Sequence, residues 1–201
     1  MSELFNYIDY IGTIVFAITG AIIGAKARFD FFGMLFLAFL TATGGGTIRD
    51  LIISNPVFWT LKPIYLYLIF GATLSTFFLK SIYEKYSSLL LFFDTLGVGI
   101  FVVIGTHQTL LLGFNNETAF IMGTMSAVLG GVLRSSFSKE FSILKNKELY
   151  ATVAGIASIL FIILRNMEVD INYCTIATII LTFILRYGSL RFRIQLPVLK
   201  E

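Results

Sequence analysis

The stretch Thr41–Asp50, TATGGGTIRD, follows directly from Phe31–Leu40, FFGMLFLAFL, and its reading decides the fold. In water, three glycines, an arginine and an aspartate at the end of a helix-length apolar run would mark a loop. In lipid they mean something else, and the composition points to lipid. Of 201 residues, 57% are hydrophobic and 13% charged, about half the charge of an ordinary soluble domain. Phenylalanine alone occurs 21 times. An integral membrane protein is expected, all-α, because only helices satisfy their own backbone across a bilayer unless a barrel closes. A crossing takes about 20 mostly apolar residues, so the chain has room for about six to eight crossings in a single membrane domain.

Apolar runs place spans at about 4–24, 31–53, 63–83, 89–108, 117–137, 149–165 and 171–188. The first is not a secretory signal, because Met-Ser-Glu stands where a basic segment should be and Lys26 and Arg28 follow the apolar run. Seven spans put the termini on opposite sides. Connectors on the C-terminal side hold Lys26, Arg28, Lys80, Lys85, Lys139, Lys145, Lys147, Arg186, Arg191, Arg193 and Lys200; the other side holds Lys62 and Arg165. By the positive-inside rule the N-terminus is expected outside and the C-terminus in the cytoplasm of a plasma (inner) membrane. The basic tail Arg186–Lys200 reads as a topogenic anchor for membrane lipid headgroups. With a net charge of +3 and basic residues scattered over connectors, the chain has no footprint for nucleic acid.

Of the 15 lysines and arginines, two remain outside this inventory, Arg49 and Arg134, and both fall within spans. They are 85 residues apart (134 minus 49), and the same offset aligns Asp9 with Asp94, Gly12 with Gly97, Phe16 with Phe101 and Gly20 with Gly105. It also aligns Phe29 with Phe114, Ala42 with Ala127, Gly45 and Gly46 with Gly130 and Gly131, Lys62 with Lys147, and Tyr65 with Tyr150. Such self-similarity reads as an internal duplication. Each copy holds three spans, so the second enters from the opposite face. The expectation is two inverted three-helix repeats, at about 4–83 and 89–165, followed by a seventh helix at about 171–188.

The glycines Gly44, Gly45 and Gly46 in span two, and Gly130 and Gly131 in span five, then occupy equivalent places. Each consecutive glycine costs a helix roughly 1 kcal/mol relative to alanine. The expectation is that both helices break there and open backbone groups to a wet path. A phosphate-binding loop is excluded, since no Lys-Ser or Lys-Thr follows. A charge in a span costs at least about 2.5 kcal/mol, so ion pairs Asp9–Arg49 and Asp94–Arg134 are expected, one toward each end of the path. Asp50, whose counterpart is Ser135, would add an acid at the outer mouth, and Thr41, Thr43, Thr124 and Ser126 would supply hydroxyls to a passing ion.

Asp-x-x-Gly in spans one and four, with GGGTIRD at 44–50 and GGVLRSS at 130–136, resembles the prokaryotic members of the trimeric intracellular cation channel family. The resemblance runs from about Asp9 to Tyr187. It implies a homotrimer with one pore per subunit, kinked at the glycines and passing K⁺ or Na⁺. Related bacterial sequences are also described as a glycine transporter family, which would imply alternating-access carriage of a small zwitterion. The second copy reads RSS where the first keeps RD, so no acid after Arg134 carries over. No cofactor or metal site is expected: His107 is the single histidine, Cys174 the single cysteine and a packing residue, and no nucleophile–base set occurs. Trp59, Tyr65 and Tyr67 read as an interfacial aromatic belt.

Overall fold

The structure, a computed structural model, describes residues 3–79, 87–138, 149–192 and 194. Lys80, Lys85, Lys139, Lys145, Lys147, Arg193 and Lys200 lie outside them, as does the end of the third expected span. The described residues form eight helices: α1 Glu3–Lys26, α2 Phe31–Ile52, α3 Phe58–Leu61, α4 Ile64–Phe78, α5 Ser87–Leu111, α6 Asn116–Ser138, α7 Tyr150–Asn166 and α8 Ile171–Arg191. The protein is an all-helical membrane protein. Five of the helices, α1, α2, α5, α6 and α8, are long and apolar enough to cross a bilayer, and α4 and α7 are shorter and apolar. The four-residue α3, between α2 and α4, has no precursor in the apolar pattern.

Local chemistry sets the ends. The Asp30 carboxylate accepts from Gly33 N–H at 2.7 Å, the Asn115 side chain from Thr118 N–H at 2.9 Å and Asp170 from Asn172 N–H at 2.8 Å, capping α2, α6 and α8. Four helices stop at a left-handed residue: Arg28 after α1, Ser54 after α2, Gly113 after α5 and Glu168 after α7. After α1, Phe29 N–H reaches back to Gly24 C=O and Arg28 N–H to Ala25 C=O; after α5, Phe114 N–H reaches Thr109 C=O and Gly113 N–H reaches Leu110 C=O. This double bond pattern satisfies the last carbonyls of a helix. Arg28 and Gly113 are 85 residues apart (113 minus 28), so the first helix of each half ends in the same way.

Helices α1, α2, α5 and α6 form the centre, with α4 against α1 and α2, α7 against α5 and α6, and α8 against α5 and α7. Phe16 of α1 meets Phe101 of α5 at 5.0 Å between ring centroids, amid buried Ala17, Ala38, Ala42, Val102 and Ala127. Hydroxyls within the helices mostly return to their own backbone: Thr41, Thr43, Thr73, Thr109, Thr178 and Thr182 each donate to the carbonyl four residues earlier. That satisfies a hydroxyl where no water competes.

The expected helix breaks do not occur. α2 runs unbroken through Gly44–Gly46, and α6 through Gly130 and Gly131. Packing explains why the glycines are there. A Cβ on Gly45 would collide with the Ser126 carbonyl of α6, and one on Gly130 with the Thr41 carbonyl of α2. The small residues let two helix backbones touch, an arrangement suited to packing in lipid.

Candidate functional site

The contact between α2 and α6 has its own symmetry. Gly45 lies on Ser126 and Gly130 on Thr41, and 45 plus 85 is 130 while 41 plus 85 is 126. Ascending positions on one helix meet descending positions on the other, so α2 and α6 cross antiparallel. The neighbouring layer repeats the pattern: a Cβ on Gly12 would run into Ile100 and Phe101, and one on Gly97 into Phe16. Likewise Gly20 faces the Thr41 hydroxyl and Gly105 the Ser126 hydroxyl. Thr41 and Ser126 are each 1% exposed. Thr41 Oγ1 donates to Leu37 C=O at 2.6 Å, whereas Ser126 Oγ has no hydrogen-bond partner among the described residues. Thr43 and Gly44, Gly46 and Gly131 are buried too, with Gly44 facing Leu133 and Gly46 the Phe58 ring. Thr124 is half-buried and bonds Phe120 C=O at 2.8 Å.

The charged groups lie on either side of this crossing. On one side the expected pair forms: Arg134 Nη2 donates to Asp94 Oδ1 at 2.8 Å, with both side chains buried. Arg134 Nη1 also donates to Thr19 Oγ1 at 2.7 Å, and the Tyr150 hydroxyl donates to Asp94 Oδ1 at 3.4 Å. Arg186 approaches the same carboxylate, with Nη2 3.8 Å from Asp94 Oδ2 and its guanidinium 4.5 Å above the Tyr150 ring. Arg186 was expected in the headgroup anchor. It is instead 5% exposed, inside α8 and turned inward.

On the other side the expected Asp9–Arg49 pair is replaced. Arg49 donates through Nε and Nη2 to Asp50 Oδ1 at 2.9 and 2.8 Å, and Asp50 Oδ2 accepts from Phe58 N–H at 3.0 Å. Asp9, half-buried, accepts from the Tyr65 hydroxyl instead. Two sequence differences account for the change. The counterpart of Thr19 is Ile104, which offers Arg49 no acceptor, and the counterpart of Ser135 is Asp50, which offers a carboxylate one residue away. Asp50 is 0% exposed, closed in by Arg49 and the Phe58 N–H rather than open. Asp9 is the more accessible carboxylate on that side.

Tyr65 and Tyr150 are neighbours of the two aspartates that residue type concealed. Each bonds the aspartate 56 residues before it, Asp9 and Asp94, so Tyr65, which is 2% exposed, is no belt residue. Trp59 donates to Thr47 Oγ1 at 2.9 Å, while Tyr67 is 71% exposed, as an interfacial ring would be. His107 packs between Phe5 and Phe161, at centroid distances of 4.5 and 6.1 Å. Cys174 is buried and free. Among the described residues no cluster of His, Cys, Asp and Glu could hold a metal ion.

Comparison with known proteins sets this geometry in a family. The sequence pattern of a family described as glycine transporter matches twice, over residues 6–81 and 91–166, windows again offset by 85 (91 minus 6). The inner membrane protein YadS of Escherichia coli K12, labelled UPF0126, is 31% identical over 201 residues, covering 96% of this chain and 95% of its own. The structure of a TRIC trimeric intracellular cation channel orthologue from Rhodobacter sphaeroides superposes with a TM-score of 0.90 at 29% identity, over 96% of this chain and 100% of that one. A second structure, described for the basis of conductance through TRIC cation channels, gives a TM-score of 0.88 at 32% identity, over 100% and 98%. The chain therefore belongs to the glycine transporter family of multi-pass membrane proteins, and it carries the fold of the TRIC cation channels.

Proposed function

We propose that this protein is a monovalent cation channel, a homotrimer in which each subunit carries its own path for K⁺ or Na⁺. The path runs between α1, α2, α5 and α6, and its narrowest point is the crossing of α2 and α6. We read residues 4–83 and 89–165 as inverted repeats of three spans, with α8 as the seventh span, the N-terminus outside and the C-terminus cytoplasmic. The observation that carries this reading is the reciprocal contact of Gly45 with Ser126 and Gly130 with Thr41, flanked by one arginine–carboxylate cluster on each side. A two-fold axis in the membrane plane would generate that pattern, and the glycine-lined crossing would sit near the midplane, where such repeats build their transport sites.

Arginines in a cation path need neutralising, and here each has a carboxylate at 2.8 Å. Backbone carbonyls and the Thr41, Thr43, Thr124 and Ser126 hydroxyls are the oxygen donors at hand for a partly dehydrated ion, as carbonyl rings are in other cation filters. Passage requires α2 and α6 to part, because their backbones touch at Gly45 and Gly130. The TRIC structures it resembles are described as cation channels, which favours a channel over the carrier that the family description suggests.

The test is flux from purified protein in liposomes. The expected result is K⁺ efflux that does not saturate over the millimolar range, with no exchange of labelled glycine. Saturable glycine counterflow without K⁺ conductance would replace this reading with a carrier.

A further inference from the structure

The connector between α2 and α4 carries the four-residue helix α3, Phe58–Leu61, and α3 fastens to the last turns of α2 at three points. Phe58 N–H donates to Asp50 Oδ2 at 3.0 Å, and Trp59 Nε1 donates to Thr47 Oγ1 at 2.9 Å. The Phe58 ring lies against Gly46, where a Cβ would come within 2.7 Å of its Cε1. Trp59 also meets Phe39 of α2 edge to face, at 5.1 Å between centroids. Gly46 is the neighbour of Gly45, which makes the contact with α6. At the crossing α2 is therefore gripped twice, by the Ser126 carbonyl at Gly45 and by the Phe58 ring at Gly46. Successive residues of a helix point about 100° apart, so the two grips lie on different faces. The second grip uses side chains that the second copy does not carry. At the offset of 85, Thr47, Asp50, Phe58 and Trp59 correspond to Val132, Ser135, Ile143 and Leu144. Valine has no oxygen to accept the bond, and leucine has no side-chain N–H to give it.

Resting on the channel reading above, we propose that α3 is a latch on the path: it holds α2 against α6 in the closed arrangement, and opening breaks the Trp59–Thr47 bond and lifts Gly46 off the Phe58 ring. Passage requires α2 and α6 to part at Gly45 and Gly130. α2 cannot simply carry α3 with it, because α3 is anchored elsewhere. Only Lys62 and Pro63 separate α3 from α4, which packs on α1. The Phe58 ring stands edge to face on Tyr65 of α4 at 4.7 Å, and the Tyr65 hydroxyl donates to Asp9 of α1. Movement of α2 away from α6 therefore pulls against α3, and α3 pulls against α4 and α1.

The experiment is single-channel recording of the purified full-length protein in planar bilayers in KCl, comparing the wild type with Thr47→Val, Trp59→Phe and the double variant. Thr47→Val keeps the shape and installs the residue found at the same place in the second copy. Trp59→Phe keeps a ring against Phe39 without the N–H. Loss of one hydrogen bond of ordinary net strength shifts a two-state equilibrium about twofold to tenfold. Each variant should raise the ratio of open to closed time by about that factor and leave the current per open channel unchanged. Both remove the same bond, so the double variant should gain no more than the larger single one. Phe58→Ala, which empties the seat on Gly46, should raise the ratio further; if it does not fold, Phe58→Leu takes its place. Hydrogen–deuterium exchange of the backbone over residues 44–52 should quicken in the same variants, with α8 unchanged. Faster exchange there with an unchanged ratio would make α3 a strut and overturn the proposal, as would an altered current per channel or gains that multiply in the double variant. Wild-type protein without K⁺ current would overturn the channel reading and this proposal together.

Discussion

The Arg134 side and the Arg49 side of the bundle start from the same parts and end in different ion pairs. Each has an aspartate one turn before a glycine, an arginine three residues after a pair of glycines, and a tyrosine 56 residues beyond the aspartate. Around Arg134 the pairing runs between helices, from α6 to α5 and on to Thr19 of α1. Around Arg49 it closes on the next residue, Asp50, and leaves Asp9 to Tyr65. The duplication preserved compensation rather than partners. A buried guanidinium must meet a carboxylate, but which one it meets depends on single substitutions, here Ile104 in place of Thr19 and Asp50 in place of Ser135.

The difference should be largest in stability. In Arg49→Met the Asp50 carboxylate, 0% exposed, keeps only the Phe58 N–H, and breaking a buried pair in this way costs about 3–5 kcal/mol. In Arg134→Met, Asp94 still has Arg186 and Tyr150, so the loss should be smaller. Thermal unfolding of the two purified variants in detergent, against wild type, ranks them. Equal losses, or a greater loss at Arg134, would mean that Arg186 does not support Asp94.

The glycine crossing should respond alike from both sides. Gly45→Val and Gly130→Val each push a side chain into a backbone carbonyl, where overpacking costs about 1–3 kcal/mol. Each should cut K⁺ flux well beyond its effect on trimer yield, and by similar factors. A large effect at Gly45 with none at Gly130 would break the two-fold relation between α2 and α6.

The halves were legible in the sequence because the offset of 85 carries charged residues and tyrosines as well as apolar ones. Seven apolar runs anticipated each long helix among the described residues to within a few residues; the end of the third run, 80–83, lies outside them. What the pattern did not carry was geometry. Consecutive glycines lower helix propensity and also permit backbone contact, and sequence does not say which use applies; at Gly45 and Gly130 contact is the use. Pairing Asp9 with Arg49 followed from similar depth, but depth does not fix azimuth, and a neighbouring carboxylate at Asp50 was closer. Arg186 sits near the end of its span, where snorkelling to headgroups is common. Its inward turn depends on Asp94 and Tyr150, which only the packed α5, α7 and α8 bring together. One signal was available: Tyr65 and Tyr150 aligned at the same offset as the aspartates, and that argued for a buried role over a belt.

A smaller effect separates the two acids of the Arg49 side. Asp9→Asn removes the half-buried charge and should lower K⁺ conductance by about twofold in about 0.01 M salt, with little change in about 1 M. Asp50→Asn should lower the unfolding temperature instead, since it leaves Arg49 without its partner. Recording both variants at the two salt concentrations makes the distinction. If Asp50→Asn is the one that shows salt-dependent conductance, the acid facing the ion is Asp50 and the roles of the two carboxylates are reversed.

The most direct test of the central claim, a cation path through each subunit, is the reversal potential of single-channel current from the purified wild-type protein in a KCl gradient. A cation path gives discrete openings that reverse close to the K⁺ equilibrium potential. Openings that reverse near the chloride potential, or no openings from folded trimer, would contradict it.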